Sequence, residues 1–456
     1  PSQMRNPMTT FQRIIAFIIV AATTTSYAAD GTYTVIVSQQ TNKKAEWKKV
    51  VQTLVAKHEA QVIVFDGQVG DSLPKLTQQF PKYVCFVSTP NETTTEFVAA
   101  VHQLTRKLDD DPYTDTLWGI LTGFDAANAL AIAKHREPLT IHKVASGTEI
   151  ALQCCTEGLW YDELVKNKLV QKKRDATAKQ LRGPDDTTAA LVDTLNQYQA
   201  DLFVTSGHAT QGDWMIGFRY RNGFFRSKAG QMFGVDTNKT RIDIDSNNPK
   251  VYLPIGNCLM GSINGPDAMA LAWMNDVGVK QMIGYTVPTW YGYQGWGILD
   301  YFIEQPGRYT MNQAFFANHH ALVHRLGESS TSAGDKRGLQ FDRDVVAFYG
   351  DPAWSAKMAN GQNSFEQTID SGRNSMTFTI TPNHGEASFD TVNNNGSQRG
   401  GRPFVGFFEQ RIKNIKITSG HDLHPIVTDN FILVPRPQKC DPTQEYKVTL
   451  TFEIID

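Results

Sequence analysis

Cysteine is scarce, with five residues in a chain of 456. That is too few for a disulfide framework. None falls in a C-x-x-C pair, and there is no H-E-x-x-H, which argues against a zinc centre. Net charge is nearly absent too. Lys and Arg number 44 against 46 Asp and Glu, a formal charge of −2. Such a balance offers no basic face for a nucleic acid, and none is expected as a partner. No long apolar run follows the N-terminus, and mean hydropathy is negative. The mature chain is therefore expected to be soluble. Internal repeats and long low-complexity tails are also missing. What is present has the composition of an ordinary globular protein, too long for a single core.

The N-terminus differs from the rest. Arg5 and Arg13 flank the start of the apolar run Ile14–Ala22, which ends in Thr-Thr-Thr-Ser-Tyr-Ala-Ala-Asp. A charged start, a short apolar stretch and small residues make a secretory signal peptide over residues 1–29. The run is too short to span a bilayer comfortably. No stable membrane span is expected once the signal is removed, and the protein should be secreted, periplasmic or at the cell surface. An odd cysteine count in an exported chain leaves at least one thiol free unless it pairs between chains.

From Tyr33 the pattern alternates strand and helix. Strands are predicted at Tyr33–Ser38, Gln61–Asp66 and Tyr83–Ser88, helices at Ala45–His58, Leu73–Phe80 and Thr95–Leu108. This is the signature of parallel β/α units. The acids Asp109, Asp110 and Asp111 before Pro112 read as a solvated turn. Further on, Asn128–His135 reads as helix, Leu139–Ser146 as one strand, Tyr161–Gln180 as helical, and Thr188–Tyr198 as a helix with Asp186 or Thr187 as its cap. Gln211–Asn248 reads as a loop with a hairpin, and Ser329–Arg337 as a polar loop. After Gly361 short period-two strands appear, as at Ser375–Thr381 and Tyr446–Ile454, suggesting a small antiparallel β-sandwich. The expected division is residues 30–135 as a first α/β unit, 136–360 as a catalytic α/β unit, and 361–456 as the sandwich.

Two central segments carry the chemistry. LFVTSGHA (202–209) and KVYLPIGNCLMG (250–261) are apolar runs that end in small residues followed by His208 and Cys258. Runs of this kind make buried parallel strands, whose C-terminal ends hold the reactive groups of open sheets. A cysteine there acts as a nucleophile once a neighbouring base assists it. Backbone N–H groups, and the dipole of a following helix, help a negative charge at that point. His208 is the candidate general acid and base. The two lie about fifty residues apart, a spacing seen in caspases.

With these segments the chain resembles the gingipain-like cysteine peptidases of the caspase-like group. The shared features are Ser206-Gly207-His208-Ala209 and Ile255-Gly256-Asn257-Cys258. To these are added Thr114-Asp115-Thr116-Leu117-Trp118-Gly119, Ile283-Gly284-Tyr285 with Trp290-Tyr291-Gly292, and Tyr349-Gly350-Asp351-Pro352. The resemblance covers most of the chain from Tyr33. Ala209 stands where the family usually has glycine, and the family's Gly-Arg segment is not evident near Asn128–Arg136. The resemblance implies a caspase-like fold of mostly parallel sheets flanked by helices, ending in an Ig-like sandwich. It implies an endopeptidase acting on protein or peptide substrates through a Cys258 thioester. It points to Glu149 as the acid orienting His208, and to the amides of Ala209 and Cys258 as the oxyanion hole. Trp290 and Tyr291 are its candidates for the substrate pocket, with Glu157 and Asp162 as pocket acids. No cofactor is implied. Related enzymes hold structural calcium, and Asp243, Asp245 and Asn247 have a weak Asp-x-Asp-x-Asn spacing, without the glycine and glutamate of an EF-hand. A catalytically inactive binding or adhesion module, and a Cys/His transpeptidase, are the alternatives.

Overall fold

A computed structural model describes residues 32–455 of the chain. The signal-peptide reading lies outside these residues. Alternating β/α segments build one twelve-stranded sheet. Its order is Gln61–Phe65, Tyr33–Ser38, Tyr83–Val87, Leu117–Leu121, Val346–Tyr349, Val279–Tyr285, Lys250–Pro254, Leu202–Thr205, Lys143–Ser146, Glu157–Tyr161, Lys168–Lys172 and Lys179–Arg182. Most neighbours pair in parallel. Val346–Tyr349 runs antiparallel to Val279–Tyr285, and the last two strands add an antiparallel meander. The molecule is thus α/β, with a large, mostly parallel sheet flanked by helices and several small antiparallel sheets. The central strands are apolar throughout because both of their faces are covered. Lys250–Pro254 and Leu202–Thr205 are wholly buried.

The helices follow from their apolar spacing. Ala45–His58 buries Trp47, Val50, Val51 and Leu54 on one stripe and ends at Glu59 in the left-handed conformation. Met311–Gly327 is buried as far as Val323, Gln313 apart, and starts from a capping box, Thr310 with Gln313. Thr95–Leu104 brings two stretches of the sheet together, since Thr95 Oγ1 donates to Thr286 O at 3.1 Å. Among the described residues no helix is long and apolar enough to cross a membrane.

Four expectations change. Tyr161–Gln180 is not helical. It contains the exit of the Glu157–Tyr161 strand and the Lys168–Lys172 strand, and leads into Lys179–Arg182, with Leu169 opposite Leu181. A neighbouring strand with free backbone groups outweighs helical propensity here, and the lysines suit an exposed sheet edge. Leu139–Ser146 is two strands, interrupted at His142. Leu139–Ile141 pairs with Ala356–Met358, while Lys143–Ser146 joins the large sheet. Residues 213–243 form a four-stranded antiparallel sheet rather than a loop with one hairpin. The polar stretch at Ser329–Arg337 starts a helix, Ala333–Asp342, with Ser332 Oγ accepting from Asp335 N.

After residue 361 come a four-stranded and a three-stranded antiparallel sheet. Tyr446–Ile454 is a strand as expected, with alternate residues buried. Phe378, Ile380, Val448 and Leu450 of the first sheet share a core with Phe404, Ile432 and Val434 of the second.

Candidate active site

The site is built where two buried strands end side by side. Leu202–Thr205 and Lys250–Pro254 pair in parallel, Thr205 opposite Pro254, and Ile255 N extends the ladder to Thr205 O at 3.0 Å. Beyond that point the buried Asn257 ties the two exits together. Its Nδ2 donates to Gly207 O at 3.0 Å, and its Oδ1 accepts from Thr205 Oγ1 at 2.6 Å. Two glycines make this approach feasible. Gly207 has φ +91°, and a Cβ at Gly256 would stand 2.6 Å from Ser206 Oγ and 2.7 Å from Trp296 Nε1. His208 and Cys258 are the next residues out along the two chains.

Cys258 is half-buried in a turn, and its Sγ accepts a hydrogen bond from Thr289 N at 3.3 Å. Leu259 beside it has φ +59°, an uncommon conformation for a bulky side chain. No helix starts at Cys258; the next begins at Met269. The expected helix-dipole contribution is therefore absent, and the local donors are turn amides. His208 is exposed, and its ring stacks on Phe218 with centroids 4.7 Å apart. Its carbonyl accepts from Met215 N at 2.9 Å, and Thr210 N donates to Asp213 O. These two bonds bracket Ala209 and leave its own N–H without a protein acceptor among the described residues, as is that of Cys258. Ala209 does not have positive φ, and its methyl packs on the core. The glycine requirement thus falls at Gly207 rather than at position 209.

Glu149 does not meet His208. Its carboxylate receives Asn393 Nδ2 at 3.4 Å and lies 3.8 Å from Lys168 Nζ. The buried acid at this point is Glu163. Its Oε1 accepts from Thr148 Oγ1 at 2.8 Å, its carbonyl accepts from Phe218 N at 2.7 Å, and its Oε2 meets no hydrogen-bond partner among the described residues. A Cβ on Gly207 would lie 3.2 Å from that Oε2. Burial, helped by the charge of Asp162, raises the Glu163 carboxyl to about 7, against the hydroxyls of Thr148 and Ser206, which favour the ion. Glu163 was hidden in the sequence because its surroundings read as helix. Once Glu157–Tyr161 is recognised as a strand, Asp162 and Glu163 fall at its C-terminal exit.

The other predicted residues separate. Glu157 starts its strand level with Lys143, away from the exits, and pairs with Arg174. Asp162 is at the right edge, but its carboxylate is taken up by Lys168 at 2.8 Å and by the amides of Leu164 and Val165. Trp290 follows Thr289 and is 54% exposed, packed against Tyr291 and Phe341. Tyr291 is buried, with its hydroxyl on Asp335. Exposed large apolar side chains gather nearby: Leu164 and Val165 next to Glu163, Phe218 on His208, and Trp290 near Cys258. Asp243 pairs with Arg241, and Asp245 accepts from Asn247. The acids Asp109 and Asp111 are joined by Asp115 and Asp429, their carboxylates within 4.8 Å of one another. Burial and the mutual charge push Asp115 to about 9 and Asp111 to about 6.

The fold and this edge define an α/β protein with a thiol and an imidazole at adjacent parallel strand exits. No family model, curated protein or solved structure matches the chain.

Proposed function

We propose that the protein is a cysteine endopeptidase exported from the cytoplasm, with Cys258 as nucleophile and His208 as general acid and base. The observation that carries this reading is the Asn257 bridge between the two strand exits, which holds His208 and Cys258 one step beyond linked, glycine-permitted turns. The Cys258 thiolate adds to the scissile carbonyl carbon, and the oxyanion meets the unpaired amides of Ala209 and Cys258. The C–N bond then breaks, and His208 gives its proton to the leaving amine. Water, deprotonated by His208, attacks the thioester and frees the thiol. Glu163 takes the role first given to Glu149, as negative charge beneath the histidine turn. The exposed rim of Phe218, Leu164, Val165 and Trp290 supports an extended peptide as substrate. Gingipain-like ancestry, a caspase-like core and an Ig-like end belong to the same proposal, as does a structural calcium.

The test is labelling of the pure, reduced protein with acyloxymethyl ketones varied at P1, with the modified residue mapped. Labelling of Cys258 that disappears in His208→Ala is expected. A folded protein that no probe labels would be a binding module instead. Labelling followed by transfer to an added amine, with no hydrolysis, would make it a transpeptidase.

A further inference from the structure

Residues 393–402 belong in sequence to the C-terminal antiparallel unit, between the Ala387–Phe389 turn and the Phe404–Phe407 strand. They pack elsewhere, against the exit of the Lys143–Ser146 strand, which neighbours the strand carrying His208, and against Trp296. Asn395 Nδ2 donates to Thr148 Oγ1 at 3.1 Å and to Glu149 O at 3.0 Å. A Cβ on Gly396 would run into the Trp296 ring, and one on Gly292 into Ser397. Positive φ at Gly396, Gly400 and Gly401 lets the segment bend to this course.

Two buried arginines fasten it. Arg399 bonds Asp300 Oδ1 at 2.7 Å and also bonds Glu304, and Gly400 N reaches Asp300 Oδ2 at 3.0 Å. Arg402 donates to Asn318 Oδ1 at 2.9 Å and lies 3.8 Å over the Tyr293 ring. Both guanidinium groups are nearly sealed from water, so letting the strap go would strand buried charge on both sides.

We infer that this strap is a working part of the catalytic edge, and that Asn395 is a positioning residue which fixes the Thr148 hydroxyl on Glu163. The inference rests on Cys258 and His208 being the reacting pair. A threonine hydroxyl has one proton to give. Because Asn395 donates to Thr148 Oγ1, that proton is directed to Glu163 Oε1. The bond favours ionised Glu163, whose unpartnered Oε2 lies under the Gly207–His208 turn. Held in this way, the carboxylate would act on the reacting pair through that turn, since its Oε2 lies 3.2 Å from where a Cβ on Gly207, the residue before His208, would stand. The other titratable groups around Glu163 are Asp162 on its own turn, Lys168 bonded to Asp162, Glu149 beyond Thr148, Tyr220 on Asp162 O, and Arg219, whose N donates to Glu163 O. None of these bonds to its carboxylate.

The experiment measures Cys258 alkylation by iodoacetamide in the full chain from pH 5 to 9, with the modified residue mapped by mass. In Asn395→Ala the acid limb should move up by about half a unit to one unit, the worth of one hydrogen bond. Alkylation at pH 6 should slow by about three- to tenfold, with the alkaline plateau unchanged. Thr148→Val should do at least as much, Thr148→Ser should keep the original profile, and the double variant should match Thr148→Val alone. An unshifted limb in Asn395→Ala, whether or not its Tm falls, would make the contact a structural tie and overturn the inference. If His208→Ala leaves the wild-type profile unaltered, it is the reacting pair itself that fails.

Discussion

The large sheet carries polar clusters at both edges, and they are built in opposite ways. At the N-terminal edge Asp351 is buried, and its carboxylate accepts from Tyr33 Oη at 2.8 Å, Lys57 Nζ at 2.8 Å and His58 Nε2 at 2.7 Å. His58 also stacks on Tyr33, with centroids 4.1 Å apart. Burial raises the Asp351 carboxyl, but His58 and Lys57 outweigh it and hold it well below the usual range. At the C-terminal edge His208 is exposed, and among the described residues one Glu163 oxygen and the amides of Ala209 and Cys258 meet no protein partner. At the first edge the buried carboxylate is matched by three donors and acts as a clamp joining distant parts of the chain. The other leaves donors, acceptors and a thiol available, which is what a reacting site requires.

The sharpest way to break this contrast is Asp351→Ala. It should cost about 3–5 kcal/mol by stranding Lys57 and His58, read as a fall in the denaturation midpoint. Below that midpoint Cys258 should still alkylate at the wild-type rate. A midpoint within experimental error of wild type would show that the clamp does not hold the sheet. Glu163→Gln is the mirror case. Turnover of a cleavable peptide should fall by about 10²-fold, and the acid limb near pH 7 should disappear. Stability should stay within about 1 kcal/mol, since a carboxyl raised by burial contributes nothing favourable as it ionises. Unchanged kinetics would remove Glu163 from the mechanism.

A smaller effect concerns acid stability. Burial lowers His102 to about 4 and His320 to about 3; His319 is pushed down by burial and by the charges of His102 and Arg106. The unfolded chain binds these protons near pH 6.5 and the folded chain does not. Stability from this source is therefore whole above about pH 6.5 and declines as pH falls toward 4. His320 stacks on Phe431 at 4.0 Å with both ring nitrogens unpartnered. His320→Phe should raise stability by about 1 kcal/mol and flatten the decline; a steeper decline would refute the assignment. The smallest effect is expected at Ala209→Gly. With no positive φ to relieve, the change should cost about 0.5 kcal/mol through the unfolded chain and leave the alkylation rate alone. A clear acceleration would show that the methyl obstructs the site.

Much of the fold was legible because long elements announce themselves by period. Ala45–His58 has the helix stripe, and Tyr446–Ile454 the strand alternation. The misreadings lie where propensity and pairing disagree. Residues 161–180 are rich in Lys and suit a helix in isolation, yet the edge of Lys143–Ser146 recruits Glu157–Tyr161 and the strands after it. That single error also hid Glu163. His208 and Cys258 were legible because an apolar run ending in small residues and then a reactive group is a local signal.

The sequence by itself determined the alternation of elements, the two strand exits and the residues at their tips, since each follows from the order of apolar, small and polar side chains along a few residues. Tertiary structure alone decided which acid meets the histidine turn, that glycine is needed at 207 and not at 209, and that a strap from the C-terminal unit reaches Thr148. Those depend on atoms some fifteen to 250 residues apart coming within hydrogen-bond reach. No local pattern carries that information, because contacts of this kind are fixed by how the sheet orders its strands.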